Sequence, residues 1–381
     1  LTGVQTILEI INEHGMDGLK DAVAILINEA MKVERSHVLK AMPWERSEGR
    51  VGYANGFKDK KIASRFGNLA LKIPQVRGDV SFYPSALDKG LRSERALKIA
   101  MAEMYVQGVS TRKVSAILEK MCGLEVSSTQ VSNAALLLDK ELDKWRSRPI
   151  GAIHFLQLDA RYEKVRQDGV IRSCAVLVAT GVMSDGRRTV LGVSVSLSEA
   201  EVHWRQFLLS LKSRGMHGLK MITSDDHTGL KAALTGVFPS VPWQRCQVHL
   251  QRNSVAYVPK VSMRTEVSRD IRTIFNAPDR AEAERFLEIT VKKYKGRAAR
   301  LSDWLESNIP EGLTVFSLPD NQRRKLRSTN MVERLNREIN RRTRVAGLFP
   351  NEASLLRLVS SILIETSEEW ETGRRYLSVG E

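Results

Sequence analysis

Three carboxylates in this chain could act together. Asp159 ends the apolar run GAIHFLQLD, Asp225 ends LKMITSD, and Glu333 lies within NQRRKLRSTNMVERLNREINRRTR, residues 321–344. That last stretch carries nine Lys/Arg (Arg323, Arg324, Lys325, Arg327, Arg334, Arg337, Arg341, Arg342 and Arg344) against Glu333 and Glu338. An acid held among arginines weakens their grip on a polyanion, so a metal ion is the natural reason for it. Hard divalent ions such as Mg2+ or Mn2+ take carboxylate oxygens and keep waters. Two of them, roughly 4 Å apart, activate an attacking oxygen and stabilise a leaving one in phosphoryl transfer. Each acid also has a plain structural reading. A strand-end aspartate is often a turn residue, Asp225 or Asp226 could cap the next helix, and Glu333 could be the third-position acid of a capping box opened by Asn330. Their combination in a basic chain favours the metal site.

The elements that must position these acids follow from periodicity. After Pro319 the arginine-rich stretch reads as one helix, with Met331, Leu335 and Ile339 as its apolar stripe and Glu333, Asn336, Arg337 and Asn340 on another face. Residues 151–259 switch to strands. GAIHFLQLDARYEKV, SCAVLVATGVMSDG and RRTVLGVSVSL predict three antiparallel strands, and LKMITSDD and the start of PWQRCQVHLQRN predict two more, reached through helices. The order β-β-β-α-β-α-β-α predicts an α/β fold with a ribonuclease-H-like mixed sheet, both aspartates at strand C-termini. Residues 260–321 predict an all-helical insertion, and 322–381 the second part of the catalytic domain with C-terminal helices. The tail's Glu365, Glu368, Glu369 and Glu371 read as a solvated face.

Upstream, 1–90 predicts helices broken at Gly15, then a basic stretch from Pro43 to Pro84. That stretch reads as loops with a short hairpin, either a DNA arm built on Arg46, Arg50, Lys58, Lys60, Lys61, Arg65 and Lys72 or a solvated linker. Residues 91–150 predict a three-helix unit. Ser110 and Gly123 bound its second helix, and Ser128 or Thr129 opens a long third one. This pattern matches a helix-turn-helix, with Arg112, Lys113, Ser128, Thr129, Gln130 and Asn133 facing DNA; a plain helical bundle is the competing reading.

The net charge of +15 points to a polyanion, DNA or RNA before an anionic membrane. No run approaches the ~18 apolar residues of a membrane span. Cys122, Cys174 and Cys246 are too scattered for a disulfide framework, which suggests a reducing setting and a cytoplasmic, nucleoid-associated location. The chain begins at Leu1, which leaves room for preceding residues.

The stretches LDARYEKVRQDG, LSEAEVHWRQFLLSLKSRGMHGLKMITSDDHTGL, QRCQVHLQRN, STNMVERLNREINRRTRVAGLFPN and EEWETGRRYL resemble Mutator-type DDE transposases of bacterial insertion sequences, and PQVRGDVSFYPSAL and MYVQGVSTRKVSAIL extend the match over about the whole chain. The resemblance implies that Asp159, Asp225 and Glu333 are the catalytic, metal-binding triad, with Asp225 preferred to its neighbour Asp226. It implies Mg2+ or Mn2+, two ions per site. The partners it implies are double-stranded DNA (terminal inverted repeats and target) and a homodimer or higher synaptic oligomer, without a membrane. It also matches Cys246 and His249 to a Cys-x2-His element. Zinc there would need about four ligands, so a structural or DNA-contacting pair is favoured. His227, placed to touch a scissile phosphate or simply to start a helix, and Arg252 join the arginines near Glu333 and Asn330 as DNA-facing candidates. Trp204, expected in the core, and Trp243 are the candidate base-stacking aromatics. The rival readings are a nuclease or resolvase that never joins strands, and a non-catalytic DNA-binding regulator.

Overall fold

Two helices open the chain, α1 (Gly3–His14) and α2 (Leu19–Leu39), parted at Gly15 as the sequence predicts; its φ of 56° suits glycine. The computed structural model describes residues 3–87 and 93–378, so the expected boundary at 90/91 lies outside the described residues. The chain divides into two units between Leu138 and Asp139.

In the first unit the basic stretch is more than loops. It forms a long antiparallel ribbon, β1 (Tyr53–Ser64) and β2 (Gly67–Arg77). Alternation decides this: Leu69, Leu71 and Ile73 point one way and pack with Ile62 on Met31 of α2, while Asn68, Ala70 and Lys72 stay exposed. Three helices follow, α3 (Arg95–Val106), α4 (Thr111–Cys122) and α5 (Ser128–Ala134), around Leu97, Met101, Val114, Leu118 and Val131. Ser110 and Gly123 bound α4 as expected. The cap of α5, however, is Ser127, in a reciprocal box with Gln130. The long third helix is also not continuous. A 3-10 turn at Ala135–Leu138 separates α5 from α6 (Asp139–Ser147). The two pieces answer to different partners, since α6 is bonded within the second unit through Asp139 and Arg146.

The second unit is built on β3 (Ile153–Gln167), β4 (Val170–Met183), β5 (Arg188–Ser196), β6 (Met221–Ser224) and β7 (Trp243–Arg245), in the order β5-β4-β3-β6-β7. The first three are antiparallel; β6 and β7 add in parallel. Between them come α7 (Glu201–Ser213) and α8 (Thr228–Val237), and after β7 comes α9 (Gln247–Ser254). A helical segment of α10 (Arg264–Phe275), α11 (Arg280–Lys295) and α12 (Ala299–Asn308) follows, and its Ile271, Ile274, Tyr294, Leu301 and Leu305 share one core with Phe155 and Met221 of the sheet and Leu250 of α9. The chain then returns through α13 (Asp320–Leu326), α14 (Asn330–Ala346) and α15 (Glu352–Thr372). Period-two alternation puts Leu156, Leu158, Leu177 and Ala179 against α7 and α8, and Val176, Val178 and Val190 against α14 and α15. Glu371 is not solvated as expected: it accepts hydrogen bonds from Thr189 and Ser367, and Glu365 pairs with Arg342. Among the described residues no helix is long and apolar enough to cross a membrane.

Candidate active site

The parallel pairing of β3 with β6 aligns Phe155 with Met221 and Gln157 with Thr223. Two residues further along stand Asp159 and Asp225; Asp225 follows the end of β6 as expected, but Asp159 lies midway along β3, which runs on to Gln167 instead of ending there. Register and pleat therefore bring both acids to the α14 side of the sheet, on adjacent strands about 4.8 Å apart. Each acid is preceded by two positions by a buried polar residue, Gln157 or Thr223, inside an otherwise apolar strand.

Those polar residues hold the third acid's support. The stretch 321–344 is not one helix; it breaks at Arg327–Thr329 between α13 and α14. The sheet captures the freed carbonyls. Thr223 Oγ1 donates to Leu326 O (2.9 Å), Gln247 N to Arg327 O (3.0 Å) and Gln157 Nε2 to Ser328 O (3.2 Å). Thr329 donates to the buried Cys246 Sγ through both N and Oγ1, each at 3.4 Å. Thr329 is the N-cap, though its side chain, turned to Cys246, caps no helix N–H; Asn330 is exposed and opens no capping box. From this fixed start Met331, Leu335 and Ile339 bury the stripe, and Glu333 projects beside the aspartates.

His249, in α9, sits among the acids. Its Nδ1 lies 3.9 Å from Asp225 Oδ1 and its Nε2 3.6 Å from Glu333 Oε1. A hydrogen bond with Cys246, outweighing desolvation and joined by the charges of Cys246, Asp225 and Asp159, raises it to about 9. Burial pushes the Asp159 carboxyl up to about 6; Asp225 and Glu333 push the same way, and His249 opposes them. Asn336 Nδ2 donates to Asp159 Oδ2 at 2.6 Å, and one buried Glu333 oxygen, Oε1, has no hydrogen-bond partner. Three like charges gathered with an unsatisfied oxygen suit a hard divalent cation, and Asp159, Asp225 and Glu333 could hold one. In this arrangement the side chains lie around His249, and among the described residues no three His, Cys, Asp or Glu groups converge at metal-holding spacing, for zinc or any other ion.

Asp226 is turned to other work. The buried Arg245 holds it at 3.0 Å and also binds Glu311 (3.0 Å) and Asn308 Oδ1 (2.8 Å). Asp225 is thus the acid of the pair beside His249. His227 lies 4.0 Å from Glu199. Trp204 is fully buried, whereas Trp243 is half-buried, donating to Ser224 with Lys231 over its ring.

The DNA-facing candidates separate by exposure. Arg324, Lys325, Arg334, Arg337, Arg341, Arg344 and Arg252 are exposed, as are Arg112, Lys113, Ser128, Thr129 and Asn133. Gln130 is exposed but engaged by Ser127. Arg252 reaches to 3.5 Å from Glu333. Arg323 donates to Leu318 O and Pro278 O, and Arg327 to Asn276. Arg342 is buried between Glu338 and Glu365 by the packing of α14 on α15. Sequence reasoning missed Arg245, Gln157 and Thr223. For the last two the signal was polarity inside an apolar strand; for Arg245, whose partners lie 19 and 66 positions away, there was none.

A strongly basic mixed-sheet chain with acids on two adjoining strands and on an arginine-rich helix belongs among proteins that act on nucleic acid. A family model described as "Transposase, Mutator family" matches residues 3–373, and the chain belongs to that family. It is 53% identical to the transposase for insertion sequence element IS406 of Burkholderia multivorans, across 96% of this chain and 95% of that protein. It is 41% identical to the transposase for ISRM5 of Rhizobium meliloti (95% and 91%) and 34% to the transposase for IS256 in transposon Tn4001 of Staphylococcus aureus (95% and 93%).

Proposed function

We propose that this transposase binds the terminal inverted repeats of its insertion sequence, hydrolyses a phosphodiester at each end, and joins the freed 3′-OH to another DNA strand. The observation that carries this is the gathering of Asp159, Asp225 and Glu333, from three distant parts of the chain, around His249, beside a helix whose exposed arginines can grip phosphates. In this reading the second unit is a ribonuclease-H-like catalytic domain interrupted by the helical segment 260–321. The helices α3 to α5 act as a helix-turn-helix, presenting Arg112, Lys113, Ser128, Thr129 and Asn133.

Asp159, Asp225 and Glu333 would hold Mg2+ or Mn2+, two ions per site, which when bound supply charge for the attacking and leaving oxygens. The chain's own residues do the rest. Asn336 orients Asp159, the bonded break before α14 aims Glu333, and Arg245 keeps Asp226 from competing with Asp225. Arg334, Arg337 and Arg252 would fix the phosphates, leaving the water and later the 3′-OH in line. A homodimer or higher synaptic oligomer would hold two ends together.

The test uses a duplex carrying the end of the element and a target plasmid. Asp159→Asn should bind the end as wild type does and lose both cleavage and joining. Cleavage by the variant would remove Asp159 from the site. Nicking without joining by the wild-type protein would make it a nuclease.

A further inference from the structure

Trp44 is 98% exposed, at the tip of a loop in the first unit. Its φ is 64°, a left-handed value costly for a bulky side chain. Glu45 N donates to Met42 O at 3.2 Å, so Pro43 and Trp44 are the central residues of a tight turn whose second central position favours glycine. The chain places tryptophan there instead, with Met42 60% exposed beside it.

The loop that presents this side chain is tied down. Val51 N donates to Leu39 O, Met42 N to the Glu45 carboxylate (2.7 Å), and Arg50 Nη2 to Met42 O (3.4 Å) and Glu45 O. Arg50 and Arg77 lie over the ring of the exposed Tyr53, at 5.4 and 5.7 Å from its centroid. A cleft of about 350 Å³ beside the turn is lined by Arg46, Arg50 and Tyr53, with Ser47 and two acids, Glu45 and Glu48. Lys40, Arg46, Arg50 and Arg77 outnumber the acids.

A rigid apolar tip flanked by cations fits stacked bases inside a phosphate frame: aromatic side chains stack on bases irrespective of sequence, and wedges inserted at base steps kink duplexes. We infer that the turn Met42–Glu45 is a DNA contact separate from the helices α3 to α5, in which Trp44 stacks on or wedges between bases while Arg46, Arg50 and Arg77 hold the adjoining phosphates. This rests on the proposed DNA-binding reading and adds a site to it.

The experiment measures affinity of the full chain for an element-end duplex and for an unrelated duplex across a salt series. Trp44→Gly suits the positive φ and so keeps the fold; it should weaken end binding about tenfold, and Trp44→Phe should restore most of it. Because Trp44 is neutral, the slope of log K against log salt should be unchanged, whereas Arg46→Ala should lower it by about 0.9. Wild-type affinity in Trp44→Gly, with an unchanged thermal transition, overturns the inference while leaving the DNA-binding reading intact. A shift in oligomeric state with unchanged DNA affinity assigns Trp44 to a protein contact and overturns it equally. If the wild-type chain binds neither duplex, both readings fall.

Discussion

Arg245 shows how one side chain can set the chemistry of its neighbours without touching a substrate. Its side chain is 4% exposed and neutralises Asp226 and Glu311, themselves 28% and 29% exposed. Removing it leaves Asp226 and Glu311 to Lys231 alone, which stands 3.6 Å from Asp226 and bonds Glu311. Breaking a buried pair from one side is costly, about 3 kcal/mol after allowing for the part-exposed acids. Arg245→Met should lower the urea midpoint accordingly, while Arg245→Lys should recover part of the loss because a single ammonium cannot serve all three partners. An unchanged midpoint in Arg245→Met would show that the network contributes nothing.

The break between α13 and α14 extends that logic to a whole element. Thr223, Gln157 and Gln247 each donate to a carbonyl freed at the break, fixing where α14 starts and where Glu333 points. Thr223→Val keeps the shape and loses one buried donor, costing about 1–2 kcal/mol. DNA binding should persist and cleavage should fall; full cleavage would mean that the break does not aim Glu333. The strands, Asp225 at the end of β6 and the stripe Met331, Leu335 and Ile339 were legible in the sequence, because local alternation and helical spacing encode them; Asp159 was read as ending its strand because the apolar run stops there, whereas pairing with β4 carries β3 on to Gln167. The break was only half legible: Ser328, Thr329 and Asn330 are capping residues that hint at a helix start, but the partners that fix it lie 80 to 171 positions away. The ribbon β1–β2 was under-read for a similar reason. Its outer half is exposed and basic, and only packing on α2 shows that Leu69, Leu71 and Ile73 form a buried face.

Over the molecule as a whole, a charge of +15 predicts strong, salt-sensitive DNA binding, but its arginines do not contribute alike. Arg337 is exposed on α14 and free to release a counterion on meeting a phosphate. Arg342, five residues on, is spent on Glu338 and Glu365, with 8% of its side chain exposed. Five positions turn a helix by about 140°, so the two point to different faces, and packing against α15 buries the second. Arg337→Ala should therefore reduce the slope of log K against log salt by about 0.9 and leave the unfolding midpoint where it was. Arg342→Ala should do the reverse. It leaves the slope unchanged and lowers stability by about 1–2 kcal/mol, discounted because both acids are more than a third exposed. Fluorescence anisotropy from 50 to 200 mM salt, beside urea unfolding of the same samples, separates the two effects. A reduced slope in Arg342→Ala with an unmoved midpoint would mean that this arginine leaves its carboxylates to bind DNA.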